Sequence, residues 1–224
     1  MEVEDKPPSF VPMPQYALPL QPHGVEIVLW HLPESQGEGH EWGLHFPQRQ
    51  TATMPAERQA EHRAVALALT RLLGHADWHL THNQEGKPQL HVRGSLLAQA
   101  VSISHARMGA EVWAAVAMWN EGDTPGGIDL VLTDDPRVRR VAPRVMSPQE
   151  QSKWRGCEAW AWATKEAMFK GHGPELEFQS QALLIDGKGI PDDETGTLRG
   201  EVRSTPWSGA WCKVRERLLL VWGS

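Results

Sequence analysis

The sequence predicts a mixed α/β fold in two halves of similar kind. Three observations carry this. Val25 to Trp30 (VEIVLW), Val112 to Trp119 and Ile128 to Leu132 are short apolar runs of strand length. Val65, Leu69, Leu72 and Leu73 recur at helical spacing before Gly74, and Cys157 to Lys170 is a second helix-favouring stretch, stopped by Gly171 and Gly173. Gly122 to Gly127 interrupts the chain near its midpoint, so each half holds one main helix and a few strands.

Taken in order, residues 1–23 hold Pro7, Pro8, Pro12, Pro14, Pro19 and Pro22. Proline fixes φ and removes a backbone donor, so this segment is expected as an extended arm. Thr53, Met54, Pro55 and Glu57 have the chemistry of a helix start: a capping hydroxyl, an early proline and an acid in the first turn. Gly86-Lys87-Pro88 reads as a turn and Val101 to Ser104 as a short strand. Phe178 to Ile185 and Arg217 to Trp222 read as strands separated by a polar, Gly-rich loop. No short-period repeat is present. The expected divisions are an arm over 1–23, a first lobe over 24–123 and a second over 124–224.

A chain of 224 residues can bury one large core or two small ones, and 11 tryptophans add core area to a 40% apolar composition. A net charge of −6 argues against a broad nucleic-acid footprint. Cys157 and Cys212 are far apart with no CxxC, which suggests a reducing compartment and no zinc ribbon. Glu2, Glu4 and Asp5 with no apolar run argue against an ordinary signal peptide. No stretch approaches the roughly 20 apolar residues that span a membrane. The expectation is a soluble cytoplasmic protein.

Four segments carry chemistry. In Trp162-Ala-Thr-Lys165-Glu166-Ala-Met-Phe-Lys170, residues four apart share a helix face, so Trp162, Glu166 and Lys170 form one stripe with Lys165 beside it. A carboxylate can hold Mg²⁺ and an ammonium can neutralise phosphate oxygens, although the same spacing also serves an ordinary surface ion pair. In Gly126-Gly127-Ile128-Asp129-Leu130-Val131 a lone acid sits in an apolar strand. Such a carboxylate needs a hydrogen-bonded or metal partner, or caps the next turn. Val101-Ser102-Ile103-Ser104-His105 places a hydroxyl and an imidazole at a strand end, where they can contact a phosphate. A Ser–His hydrolase is disfavoured because adjacent strand residues point to opposite faces. Gly86-Lys87-Pro88 presents a lysine on a tight turn.

Each signal is weak by itself, but their order and spacing are specific. Gly86-Lys87-Pro88-Gln-Leu90, then Ile103-Ser104-His105, then Gly127-Ile128-Asp129, then WxxKEAxxK over 162–170 resembles the 4′-phosphopantetheinyl transferase superfamily, in its longer two-lobed form. The likeness runs from about residue 55 to 173, and Arg144 to Glu150 is similar to the family's segment before the catalytic helix.

The resemblance implies an α/β fold of two lobes related by a pseudo-twofold axis, with a coenzyme A cleft between them. It implies transfer of the 4′-phosphopantetheine group from coenzyme A to a serine of an apo acyl or peptidyl carrier protein, with Mg²⁺ as cofactor and release of 3′,5′-ADP. Asp129 and Glu166 would be the metal ligands, and Glu166 would take the serine proton. Lys170 would steady the leaving 3′,5′-ADP, with Lys165 close to the phosphates. Gly86, Lys87 and Pro88, with Ser104 and His105, would hold the nucleotide end. The two-lobed type carries a third acid where this chain has Val131, and Ala106 replaces the serine that ends ISHS. A monomer is expected, since two fused lobes build the cleft by themselves. The competing expectation is a degenerate coenzyme A-binding homologue without turnover.

Two further patterns stand apart. His75, His79 and His82 have metal-like spacing only if helical, and Gly74 precedes them. Arg137, Arg139, Arg140 and Arg144 form a basic run that is either a solvated face or a docking patch for an acidic carrier. Asp134 and Asp135 are expected to start the next turn.

Overall fold

The computed structural model describes residues 24–33, 42–49 and 53–224; the proline-rich segment expected as an arm lies outside them. The elements in order are β1 (Val25–Leu32), a 3-10 turn (Trp42–His45), α1 (Ala56–Leu73), β2 (Trp78–His82), β3 (Pro88–Val92), β4 (Ser95–Leu96), β5 (Val101–Met108), β6 (Glu111–Trp119), β7 (Gly127–Leu132), α2 (Pro136–Val145), α3 (Pro148–Lys153), α4 (Glu158–His172), β8 (Ala182–Gly187), β9 (Thr195–Val202), β10 (Thr205–Arg215) and β11 (Leu218–Gly223). The chain is thus mixed α/β. The strands form three sheets of order β1-β6-β5, β7-β11-β10-β9-β8 and β2-β3-β4, and neighbouring strands are antiparallel throughout. No helix among the described residues is long and apolar enough to cross a membrane.

Alternation along the strands sorts their side chains into cores. On β6, Val112, Ala114 and Val116 face α1 together with Val28, Trp30 and Leu32 of β1. The intervening Trp113, Ala115, Ala117 and Trp119 face the opposite way. They share a core with Ile128 and Leu130 of β7 and with Leu218, Leu220 and Trp222 of β11. The second face of the five-stranded sheet, with Val131, Leu219 and Val221, packs on α4 through Ala163, Ala167 and Met168. β6 is therefore apolar on both faces and β7 is so except at Asp129, which is why they read as continuous runs.

α1 ends where the sequence predicts, at Gly74 in the left-handed conformation (φ 74°), whose N–H closes on Thr70 O. Its start differs from expectation: Pro55 holds the N-cap position and no side chain caps the turn. α2 is capped by Asp135, whose carboxylate accepts from the Arg137 N–H, as expected of an acid opening a turn. α3 opens with a reciprocal capping box between Ser147 and Glu150. α4 continues through Gly171 to His172, one turn-fraction beyond the expected stop, and Gly173 caps it.

The expected polar loop after β8 holds β9 and β10, and only Ala182 onward of the predicted 178–185 strand is extended. Its glycines are crossing points. A Cβ on Gly200 would stand 2.3 Å from Met168 Cε, and one on Gly209 2.2 Å from the Trp207 ring.

The same device joins β7 to α4. A Cβ on Gly127 would stand 1.9 Å from the Ala167 carbonyl oxygen, and one on Gly171 3.1 Å from the Gly126 backbone. This backbone-on-backbone approach brings β7 against α4 at Ala167, one residue after Glu166. Gly127→Ala must push strand and helix apart, since a carbonyl cannot move like a side-chain tip. We expect a loss on the order of 3 kcal/mol in urea-denaturation midpoints. A loss below about 0.5 kcal/mol would show that the contact is not needed.

Candidate functional site

Asp129 sits mid-strand in β7, opposite Val221 of β11, and only 7% of it is exposed. Along its other edge β7 runs beside β5, and here the usual ladder is replaced by side chains. Ser102 Oγ accepts from the Ile128 N–H at 3.1 Å and Ser104 Oγ from the Leu130 N–H at 3.1 Å. The Ser104 hydroxyl then donates to Asp129 Oδ1 at 2.8 Å. Both serines are buried.

α4 supplies the rest. Glu166 and Lys170 are one turn apart on its β7 side. Lys170 Nζ donates to Asp129 Oδ1 at 2.7 Å and to the Ile128 carbonyl at 2.9 Å. Burial, then the negative charge of Asp129, pushes Glu166 up to about 7, while Lys170 pulls it back. Asp129 and Glu166, with Ser104, His105, Val131 and Arg137, line a cavity of about 340 Å³.

His105 also borders a second cavity of about 680 Å³, lined in part by Lys170, Ser102, Gly86, Lys87, Pro88 and Glu61. The turn that presents Lys87 is built by Asn83, whose side-chain oxygen accepts from the N–H groups of Glu85 and Lys87, with Gly86 at φ 79°. Gly173 lets this turn approach the end of α4, because a Cβ there would stand 3.1 Å from Lys87 Cε. The structure thus brings Asp129, Glu166, Lys170, His105, Gly86, Lys87 and Pro88 to two adjoining cavities. A third cavity of about 720 Å³, beside Trp42 and Trp78, holds none of them.

Two expected residues are placed otherwise. Lys165 does not approach the cavities. It is fully buried on the far side of α4, where it donates to Glu150 Oε1 at 2.9 Å, to the Phe178 carbonyl at 2.7 Å and to the Ala182 carbonyl. All three ammonium protons are used, so it ties α3 and β8 to α4; burial lowers its pKa and Glu150 draws it back up. Ser104 lines the Asp129 cavity rather than the larger one, with its hydroxyl proton committed to Asp129.

Sequence reasoning missed Glu61 and Arg58. Glu61 is 8% exposed, accepts from Arg58 Nη1 at 2.8 Å and stands 3.8 Å from His105 Nδ1. Burial lowers the His105 pKa, with Lys170, Arg58 and His62 pushing the same way and Glu61 opposing them. The signal was present: Glu61 continues the Val65–Leu69 stripe back by one turn, and an acid on an apolar stripe needs a partner. His79 and His82 lie on β2, and His79 stacks on His91 at 4.4 Å. Among the described residues no three His, Cys, Asp or Glu side chains converge as a metal site.

Two carboxylates on one cavity, close enough that one raises the other's pKa, suit a hard divalent ion that takes its remaining ligands from water and phosphate. Asp129 and Glu166 therefore fit Mg²⁺ as a donor set. No protein-family model matches the chain, and no curated protein matches it.

The charge state of Glu166 has a measurable cost. Its folded pKa lies above the ordinary 4.5, so between pH 4.5 and about 7 the unfolded chain loses this proton first. Stability falls as pH rises through that window and levels above it. Glu166→Gln removes the effect. In chelator, we expect the wild type to lose on the order of 2 kcal/mol more than the variant between pH 4.5 and 7.5. Parallel stability–pH curves for the two proteins would contradict the raised pKa.

Proposed function

We propose that this protein transfers the 4′-phosphopantetheine group of coenzyme A to a serine of an apo acyl or peptidyl carrier protein. The observation that supports it best is the junction of two cavities at His105. One holds Asp129 and Glu166; the other holds Lys87 and Lys170. A pyrophosphate in the larger cavity would lie between lysines, with its reacting end toward the carboxylates. Under this reading the two sheet-and-helix units, 24–123 and 124–224, are lobes related by a pseudo-twofold axis with coenzyme A between them, and the protein acts as a cytoplasmic monomer.

Mg²⁺, held by Asp129 and Glu166, would supply charge neutralisation at the pyrophosphate. The chain's own groups do the rest. Glu166 accepts the proton of the carrier serine. The serine oxygen bonds to the β-phosphorus, the bond from that phosphorus to the bridging oxygen breaks, and 3′,5′-ADP leaves with the electron pair. Lys170 balances the charge on the leaving phosphate, and Lys87 and His105 hold the nucleotide end. Val131 lines the carboxylate cavity where the two-lobed type has its third acid. That favours, as a second reading, a coenzyme A binder without turnover.

The readings separate by intact mass. An apo-carrier incubated with the protein, coenzyme A and Mg²⁺ should gain the mass of phosphopantetheine, and Glu166→Ala should abolish the gain. Bound coenzyme A with no gain across fatty-acid, polyketide and peptide-synthetase carriers would leave only the binder.

The carrier is assigned to α2. Its buried side is Val138, Ala142 and Val145, and its exposed side carries Arg139, Arg140 and Arg144, which form no salt bridge among the described residues. Arg137, on the same helix, lines the Glu166 cavity and is held by a two-pronged contact to Asp135. An acidic carrier face laid on this helix would bring its serine to the cavity mouth. Reversing Arg139, Arg140 and Arg144 to Glu should raise the carrier KM by about tenfold or more and leave coenzyme A affinity unchanged. An unaltered carrier KM would remove α2 from the interface.

A further inference from the structure

Asp129 Oδ1 is already occupied by a cation. The Lys170 ammonium lies 2.7 Å from it, and the Ser104 hydroxyl holds the same oxygen at 2.8 Å. Oδ2 accepts no hydrogen bond among the described residues. We infer that Lys170 is the resident counter-ion of Asp129 and must leave this carboxylate when a divalent cation binds, so that metal and coenzyme A bind cooperatively; this rests on the proposed metal site.

The argument is electrostatic. A metal on Oδ2 and an ammonium on Oδ1 would put two cations on one carboxylate in a half-buried cavity, where like charges are poorly screened. One must move. The Ser104 hydroxyl, anchored by the Leu130 N–H, keeps Asp129 in place, so Lys170 is the mobile partner. It has somewhere to go: its side chain is 25% exposed and also lines the larger cavity. Among the described residues, its hydrogen bonds to Asp129 and the Ile128 carbonyl are what hold it at β7. Phosphates in the larger cavity give the departing ammonium a new partner. Without them the carboxylates that line that cavity, Glu61 and Glu85, are already paired with Arg58 and Lys87, and metal must compete against the Lys170–Asp129 pair. Lys165, by contrast, is fixed by three acceptors and cannot respond.

Mn²⁺ binding, read from the electron-paramagnetic signal of the free ion, tests this without any turnover. In the wild type, coenzyme A should tighten Mn²⁺ binding by about tenfold or more. Lys170→Met should bind Mn²⁺ more tightly than the wild type when no coenzyme A is present, and the coupling should fall below the wild-type value, the remainder coming from phosphate ligation of the metal. Lys170→Gln serves if the methionine variant melts early. Asp129→Asn is the control for the site. Wild-type and Asp129→Asn proteins with equal Mn²⁺ affinity would sink the metal site itself, and the inference with it. Mn²⁺ affinity that depends on Asp129 but is unchanged or weakened in both Lys170 variants would overturn the inference and leave the metal site standing.

Discussion

The site depends on the seam between β5 and β7. These strands advance in step, Ser102 beside Ile128 and Ser104 beside Leu130, yet what joins them is hydroxyl to N–H. A serine oxygen reaches further than a backbone carbonyl, so the two sheets meet edge to edge without merging into one ladder. Behind the seam, Trp113, Ala115 and Ala117 share a core with Ile128, Leu130, Leu218 and Leu220. That core buries the odd face of β6 and the even face of β7 together. It fixes the other face of β7, which carries Asp129, against α4. The serine that closes the seam is the same serine that orients the carboxylate. Structural join and site geometry are therefore one set of bonds.

Helix geometry explains the division of labour on α4. At about 100° per residue, Glu166 and Lys170 are some 40° apart and Lys165 and Lys170 some 140° apart. One lysine must face β7 and the cavities; the other must face away, into the layer between α4, α3 and β8. A lysine buried there is tolerable only because Glu150 and two carbonyls take all its protons. Glu150 is itself committed, through its second oxygen to the Ser147 N–H and its first also to the Leu184 N–H. The capping of α3, the placement of β8 and the charge of Lys165 therefore stand or fall together.

Much of this was legible in the sequence, for physical reasons. β6 is apolar on both faces and β7 is so except at Asp129, so strand length and composition sufficed. α1 and α4 have strong periodic stretches with glycine stops. The elements that escaped are those whose composition answers to neighbours rather than to their own backbone. β9 and β10 carry Gly196, Gly200 and Gly209 because Trp211, Met168 and Trp207 lie across them, and the glycines then imitate a loop. Lys165 escaped because only the resemblance set it close to the phosphates, whereas its spacing, five residues before Lys170, turns it to another face of the helix. Glu61 escaped because the periodic face of α1 was read only from its apolar members. A pseudo-twofold relation between residues 24–123 and 124–224 rests on resemblance, since antiparallel pairing inside each sheet does not define it.

The charge balance of the cavity gives Val131 its meaning. It lies two residues after Asp129 on the same strand, so both point toward α4, and it is 7% exposed in a core shared with Val138 and Ala142 of α2. An acid there would need a partner in a region that packs aliphatic side chains, and it would face Asp129 and Glu166 as a third negative charge. Among the described residues, Lys170 is the one ammonium bonded to Asp129. Asp129 and Glu166 are faced by Lys170 on Asp129 and by Arg107 and Arg137 in the cavity lining, so their charge is largely balanced without a metal. A third acid would add one more negative charge to that balance. In the proposed metal site, valine at position 131 would leave metal affinity to be set by two carboxylates and by where Lys170 points.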